Sequence, residues 1–283
     1  MASAGFWRRM QPSSPAAELN RVRRARPLLG TRVEIEVSGG HDEVHLHAAV
    51  DAAFACIETV HQLMSYQNAN SDLSRLNAHA LNCAQAVNPH TYRVCEAALQ
   101  YARLSAGAFD PAVAARAGGD WRDIELCGEN HIRFHRPLAI DLGGIAKGYA
   151  VDLAVGVLQG LKMEQVLVNA GGDMRVAGSL PQCVQLRHPQ APLHAANGLS
   201  LQNAALATSA AYFSRQASPV GETSALIDSR SGQPYVGARS VSVRALHCLS
   251  ADALTKVVLF APAAVSTACL AAEGAEAYIL EPD

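Results

Sequence analysis

Residues 137–161 read PLAIDLGGIAKGYAVDLAVGVLQGL, and the prediction of the fold starts from this stretch. The apolar residues 137–140 predict a short buried strand, and the spacing from 145 to 161 predicts a helix. Between them lie Asp141 and the pair Gly143-Gly144, with Lys147 one turn into the helix. Backbone amides, a positive helix end and an ammonium group together favour an anion cradle. The glycine pair alone is equally typical of close helix–strand packing, and the spacing of a Walker loop is not met.

The rest of the chain mixes strands and helices without regular βαβ alternation. Alternating polarity and apolar runs predict strands at 31–37, 166–168, 174–177, 184–187, 205–209 and 240–245. Helical spacing predicts helices over 41–64 and 90–105, and a further helix capped by Ser250 or Asp252. This order predicts the α+β class, with mixed or antiparallel sheets and packed helices, rather than a doubly wound sheet.

Composition excludes several function classes. The 283 residues are 49% hydrophobic and 17% charged, and the net charge of −2 argues against a nucleic-acid binder that depends on phosphate contacts. The longest apolar run, 257–261, stops at Pro262, so no transmembrane segment is predicted. Seven scattered cysteines without a C-x-x-C pair indicate reduced, structural thiols rather than disulfides or a zinc knuckle.

The first 26 residues form a separate unit in this interpretation. They are rich in arginine and contain one acidic residue, Glu18, so they predict a basic, disordered leader. Contact of this arm with an acidic partner or a membrane surface is the alternative. The leader lacks the apolar core of a secretory signal, and the expected location is therefore the cytoplasm.

Four polar loops are the candidate chemical sites. They are GAFDP at 107–111, the Asp141–Lys147 loop, NAGGD at 169–173 and SADALTK at 250–256. In the last of these, Asp252 and Lys256 stand four residues apart and would share one helix face. Such a pair is either a surface ion pair worth ~0.2–0.5 kcal/mol or part of a site. Each loop by itself is a weak signal.

The order and spacing of these loops resemble the ApbE family, the FAD:protein FMN transferases. The matching stretches are Leu29-Gly30-Thr31, Met64-Ser65, SDLSRLN at 71–77, GAFDP at 107–111, DLGGIAKGYAVD at 141–152, NAGGD at 169–173, Ala207-Thr208-Ser209, IDSRSG at 227–232 and ADAL at 251–254. The resemblance covers residues 27–283, which would form one two-lobed domain of the ApbE type.

The resemblance implies metal-assisted cleavage of FAD, transfer of FMN to a threonine of a target flavoprotein, and release of AMP. It implies FAD contacts at Ala108, Phe109, Asp110, Asp141 and Lys147. It implies Mg²⁺ held by the Gly144 carbonyl and Asp252, with Thr255 as a further candidate ligand, because a hard divalent ion prefers oxygen donors. Asp252 and Lys256 are the candidate catalytic pair.

The sequence departs from the family pattern at several positions: Tyr66 stands one place early for an aromatic residue, Ala210 replaces a glycine, and two further departures bear on the chemistry. Ala225 stands where family members have a histidine that handles the acceptor proton, and alanine cannot act as a base. Lys256 stands where they have a metal-ligating hydroxyl, and Thr255 is ~100° away around the helix. We therefore hypothesise that Lys256 replaces one cation instead of ligating it.

These departures leave three readings of the function open. The first is an active flavin transferase with a variant site. The second is a catalytically weak relative that binds FAD or FMN as a carrier or sensor. The third is an assembly partner that retains only the fold, which the survival of Asp110, Asp141, Lys147 and Asp252 disfavours.

Overall fold

A computed structural model describes residues 20–113, 118–187, 195–211, 216–218 and 221–281. The α-helices are α1 (Glu43–Met64), α2 (Asp72–His79), α3 (Pro89–Leu104), α4 (Ala146–Gly160), α5 (Cys248–Phe260) and α6 (Ala263–Ala272). The strands are β1 (Asn20–Leu28), β2 (Thr31–Gly39), β3 (Gln85–Ala86), β4 (Ile124–Gly128), β5 (His131–Phe134), β6 (Gln165–Ala170), β7 (Asp173–Gly178), β8 (Gln182–Arg187), β9 (Ala195–Leu201), β10 (Ala204–Ala210), β11 (Gln216–Ser218), β12 (Gly221–Thr223), β13 (Ser240–Ala245) and β14 (Glu276–Leu280).

A seven-stranded sheet organises the domain. Its order is β1-β2-β6-β7-β10-β13-β14, and every neighbouring pair is antiparallel. The predicted α+β class with mixed or antiparallel sheets is therefore confirmed, and the main sheet is of the antiparallel kind. A three-stranded sheet, β3-β5-β4, and the β8–β9 and β11–β12 pairs are also antiparallel.

Two tight hairpins on neighbouring strands lie side by side. Leu29 and Gly30 join β1 to β2 with φ of 56° and 70°, and Gly171 and Gly172 join β6 to β7 with φ of 67° and 110°. Positive φ at both turn residues matches the right-handed twist of the strands. A Cβ on Gly171 would overlap the side chain of Thr31, so the two turns approach closely only because this residue is glycine.

Helices cover one face of the sheet. Helix α4 packs between α1 and α5, while α1 contacts β1 and β2 and α5 contacts β10 and β13. Alternate residues face opposite sides of a strand, so Ala205 and Ala207 join the helix-side core while Leu206 joins a smaller cluster with Val176 and Leu186. This layering brings the start of α4, the β6–β7 turn and α5 to one place.

The predicted leader boundary is wrong for residues 20–26. These residues belong to β1, where Arg21 and Arg23 form ion pairs with Glu36 and Glu34 of β2. Alternation along a strand and cross-strand carboxylates order this part of the basic segment. The rest of the predicted leader, residues 1–19, lies outside the described residues.

Residues 137–140 do not form the predicted strand, although Ala139 takes part in a β-bridge. The side-chain amide of Asn77 forms hydrogen bonds with both backbone groups of Ile140. It accepts from the Ile140 N–H at 2.8 Å and donates to the Ile140 carbonyl at 3.0 Å. A side chain thus supplies the hydrogen bonds that a neighbouring strand would give.

The start of α5 differs from the prediction as well. The helix begins at Cys248, and Asp252 lies inside it rather than at its cap. The carboxylate of Asp152, on α4, accepts from the N–H groups of Cys248 and Leu249 at 2.9 Å each. A distant carboxylate therefore caps the helix, which no local pattern around residue 250 indicates. Over the described ranges, no helix combines the length and the hydropathy that crossing a membrane requires.

Candidate functional site

Four predicted loops meet on one cavity of about 460 Å³. Its lining comprises Thr31, Ala108, Phe109, Asp110, Val113, Asp141, Gly143, Gly144, Lys147, Gly171, Asp173, Thr208, Ser209, Ala210, Ala225, Leu226, Ile227, Ser229, Lys256 and Phe260. All five predicted FAD-contact residues are in this set, together with Gly144 and Lys256. The antiparallel sheet and the α4–α5 packing bring together segments that lie far apart in sequence.

A cluster of two carboxylates and two ammonium groups forms the base of the cavity. Lys147 Nζ contacts the carboxylate of Asp173 and lies 3.6 Å from Asp252 Oδ2. Lys256 Nζ contacts Asp252 Oδ1 and donates to the Asp252 carbonyl at 3.0 Å. Asp252 is fully buried, while the side chains of Lys147 and Lys256 are 31% and 14% exposed. The lysines, rather than Asp252, therefore present the charge that a ligand meets.

Opposite charges in this cluster stabilise each other, while the two carboxylates repel. Burial acts to lower the pKa of Lys147, but Asp173 and Asp252 more than offset it, so the pKa is raised and the ammonium stays charged. Burial and the charge of Asp252 raise the pKa of Asp173, and Lys147 opposes this change. Burial also raises the pKa of the Cys248 thiol well above its usual value, which excludes it as a thiolate nucleophile at neutral pH.

Close packing of α4 on α5 builds this cluster. A Cβ on Gly148 would overlap the carbonyl of Cys248, so this contact requires glycine. At the same point the Gly148 N–H donates to Asp252 Oδ2 at 3.2 Å. Gly148 therefore allows α4 to approach Asp252 closely enough for Lys147 to reach it.

The turn before α4 also has little spare room. A Cβ on Gly144 would lie 3.3 Å from the Phe109 ring and 3.6 Å from Lys256 Cε. The N–H of Gly143 donates to Asp141 Oδ1 at 2.7 Å, which holds the turn. Gly144 therefore packs closely against Phe109 and Lys256, and both glycines line the cavity, while the anion cradle stays a prediction.

One wall of the cavity is aromatic and tied to a second loop. Phe109 is buried and packs edge-to-face on Tyr101. The Ala108 carbonyl accepts from Ser229 Oγ at 2.8 Å, which fastens the 107–111 loop to the 227–232 loop. Asp110 Oδ1 accepts from the Ala112 N–H at 2.8 Å. This wall offers an apolar surface to a planar ring.

Sequence reasoning did not single out Ser229 or Phe260. Ser229 lies in the quoted IDSRSG stretch, but only the structure shows its contact with Ala108. Phe260 follows Lys256 by four residues on α5, so helical spacing could have indicated that both face the cavity. Ala225 also lines the cavity, at the position where the family pattern has a histidine.

The residues at the base of the cavity do not fit a divalent cation. The carboxylate of Asp252 already faces both lysine ammonium groups. Thr255 is fully buried, donates to the Asp252 carbonyl at 2.7 Å and bonds Ser209 Oγ at 2.7 Å, so its hydroxyl is used within the protein. Across the described part of the chain, no group of three histidine, cysteine or acidic residues is placed to hold a metal.

The fold and the site together define a class: an antiparallel α+β domain in which four polar loops converge on one cavity that is lined by both ammonium and carboxylate groups. Within that class, the model of the ApbE family matches residues 29–118 and 114–279, and the chain belongs to this family.

Two relatives carry the name FAD:protein FMN transferase. The protein from Treponema pallidum is 27% identical over 192 residues, which span 57% of this chain and 53% of that protein. The protein from Vibrio cholerae is 28% identical over 263 residues, which span 81% of this chain and 78% of that protein.

Solved structures agree with the fold. The ApbE protein of Thermotoga maritima has a TM-score of 0.77 at 25% identity and covers 84% of this chain and 86% of its own. The Pseudomonas stutzeri flavinyl transferase ApbE has a TM-score of 0.79 at 20% identity, with coverage of 94% and 92%.

Proposed function

We propose that this chain is a FAD:protein FMN transferase that passes FMN from FAD to a threonine of a flavoprotein and releases AMP. The observation that carries the proposal is the convergence of the four family loops on one cavity with two ammonium groups at its base. The two relatives with this name support it.

The reaction exchanges the phosphoanhydride bond of FAD for a phosphoester bond to threonine. The threonine Oγ attacks the phosphorus on the FMN side, the bond from that phosphorus to the bridging pyrophosphate oxygen breaks, and AMP departs with that oxygen. The threonine loses its proton in the same process. The transition state carries negative charge on the phosphoryl oxygens, so fixed positive groups next to it lower the barrier.

The described residues supply binding and charge. Lys147 and Lys256 present ammonium groups to the cavity, and the amides at the start of α4 add partial positive charge. Phe109 offers an apolar face for one of the two ring systems of FAD. These groups would hold the pyrophosphate over the base of the cavity and a ring against its wall.

Ala225 favours a second candidate function. Ala225 lines the cavity at the position where the family pattern places the proton acceptor, and its side chain has no basic group. Loss of a general base lowers the reaction rate by ~10²–10⁴-fold. A flavin-binding relative that turns over slowly, as a carrier or sensor, is therefore the alternative. An assembly partner that keeps only the fold is the third possibility, and the charged cluster argues against it.

The metal requirement remains a prediction. Mg²⁺ bridging phosphate oxygens is the usual device for this step, yet two of the three residues that the resemblance implies as ligands, Asp252 and Thr255, have their side-chain oxygens in contacts within the protein. The acceptor is proposed only by class, as a flavoprotein with a target threonine.

The test is a direct transfer assay. The purified chain is incubated with FAD, with and without Mg²⁺, and with a flavoprotein accepted by the Vibrio cholerae relative. The proposal expects AMP in a one-to-one ratio with an acceptor that gains the mass of FMN less one water. An acceptor with valine in place of the threonine is the matched control and should stay unmodified. If the protein retains flavin but releases no AMP, the alternative of a flavin-binding carrier or sensor would replace the proposal. If it retains no flavin, the result would favour the assembly partner.

A further inference from the structure

We infer that the ammonium of Lys256 takes the place of a divalent cation, so that this chain binds the pyrophosphate of a flavin dinucleotide without a metal ion. The inference rests on the proposed function, because it specifies how the same cavity holds FAD. It adds a property that distinguishes this chain from a metal-dependent transferase.

The position of the ammonium is the first observation. Lys256 Nζ contacts both the carbonyl and the carboxylate of Asp252, so two oxygens of one residue surround it as they would a bound cation. Its Cε lies 3.6 Å from the point where a Cβ on Gly144 would stand. The Lys256 side chain therefore passes beside Gly144 and ends against Asp252, the two residues predicted to hold the metal.

Electrostatics then disfavours a second cation at this point. A divalent ion on Asp252 would stand beside two ammonium groups, those of Lys147 and Lys256, and like charges at such range repel in a partly buried site. Two carboxylates, Asp173 and Asp252, already balance the two ammonium groups. These four side chains carry no net charge without an added ion, and Asp110 and Asp141 add carboxylates elsewhere in the cavity lining.

Orientation toward the ligand is the third observation. Lys256 lines the cavity, whereas Asp252 is fully buried behind it. An ammonium has three N–H donors, and the described residues account for two of them, both on Asp252. The remaining N–H of Lys256 can donate to a phosphate oxygen, and the ammonium group adds a compact positive charge beside it.

The experiment measures the Kd of FAD for the full chain by calorimetry, once in excess EDTA and once in millimolar Mg²⁺. We expect the two Kd values to agree within about threefold. This is well below a tenfold difference, which corresponds to about 1.4 kcal/mol of binding free energy. Lys256→Met keeps the length of the side chain and removes its charge. It should weaken FAD binding in EDTA by roughly 10- to 100-fold, the value of a charge-assisted hydrogen bond.

Lys162→Met is the matched control, since Lys162 is exposed and lies outside the cavity lining. It should leave the Kd unchanged. The comparison of EDTA with Mg²⁺ uses the unaltered chain, so it decides the question even if Lys256→Met does not fold.

Three results would overturn the inference. FAD binding that requires Mg²⁺ in the unaltered chain would leave the proposed function intact and show that the metal is needed. An unchanged Kd for folded Lys256→Met in EDTA would show that the ammonium does not hold the ligand. Failure to bind FAD both in EDTA and in Mg²⁺ would contradict the proposed function as well as the inference.

Discussion

At the scale of single residues, Ala225 and Lys256 decide how this cavity differs from what the family resemblance implies. Both line the cavity, and both replace a functional group by one of different chemistry. A methyl group cannot accept a proton, and an ammonium cannot ligate a cation. The surrounding groups Phe109, Asp110, Asp141 and Lys147 are nevertheless all placed around the same space.

Restoring a basic side chain should raise the transfer rate. Ala225→His is expected to increase AMP release by about 10²-fold, the lower range for general-base catalysis. The gain should fade as pH drops below about 6.5, because only the neutral imidazole accepts a proton. Ala225→Asn, which is polar but not basic, serves as the control. Equal rates for the histidine and asparagine variants, at unchanged FAD affinity, would show that proton acceptance at residue 225 does not limit transfer.

At the scale of elements, the contact between α4 and α5 assembles the charged cluster. Two residues of α4 control it: Gly148 lets the helices approach, and Asp152 caps α5. Asp152 also pairs with Arg175 of β7 at 2.8 Å, so it links α4, α5 and the sheet.

Two glycines of the same helix allow a matched test of this packing. Gly148→Ala should lower the free energy of unfolding by about 1–3 kcal/mol, because its Cβ would overlap the backbone at Cys248. Gly156→Ala should raise it by about 0.5–1 kcal/mol, because that position is open and alanine is the better helix former. Urea denaturation of both variants measures the difference. Similar stabilities would mean that the helices do not approach as closely as described.

The cap supplied by Asp152 can be tested separately. Asp152→Ala removes the acceptor for two amides of α5 and leaves the nearly buried Arg175 without its carboxylate, which should cost about 3 kcal/mol. Asp152→Asn keeps an acceptor oxygen and should cost less. Thermal or urea unfolding gives both values, and an alanine variant as stable as the asparagine variant would contradict the capping role.

At the scale of the whole molecule, burial divides the cysteines into three groups. Cys83, Cys127 and Cys183 are exposed, while Cys95, Cys248 and Cys269 are buried and Cys56 is intermediate. All seven are free thiols, as the sequence predicts. Reaction of the buried thiols with a reagent therefore measures how often the core opens.

A thiol reagent at pH 8 should modify the three exposed cysteines of the native protein rapidly. Cys95 and Cys248 should react only on unfolding, because burial blocks access and raises the pKa of Cys95 to about 12 and that of Cys248 well above its usual value. Since these thiols ionise first in the unfolded chain, the free energy of unfolding should fall as pH rises above about 8.5. Peptide mass spectrometry identifies the labelled sites, and early modification of Cys248 would contradict the burial of the α4–α5 contact.

Much of the fold could be predicted because its signals are local. The alternation of residues 31–37 and the glycine turn at 171–172 gave β2 and the β6–β7 hairpin, and periodicity gave α1 and α4 within two residues at each end. The i,i+4 relation also correctly paired Asp252 with Lys256. The strand expected at 137–140 does not form, because the side chain of Asn77, 63 residues away, makes the hydrogen bonds of the Ile140 backbone.

The sequence by itself determined the α+β class, several of the helices and strands, and the set of loops that carry polar groups, since these depend on spacing along the chain. Only the tertiary structure decided which groups meet. It placed Asp252 under two ammonium groups, 104 residues from the Gly148 amide that it binds, and it turned Thr255 toward Ser209 instead of the cavity. Burial and contacts between distant segments set those outcomes, and neither is encoded in the local pattern of a single helix.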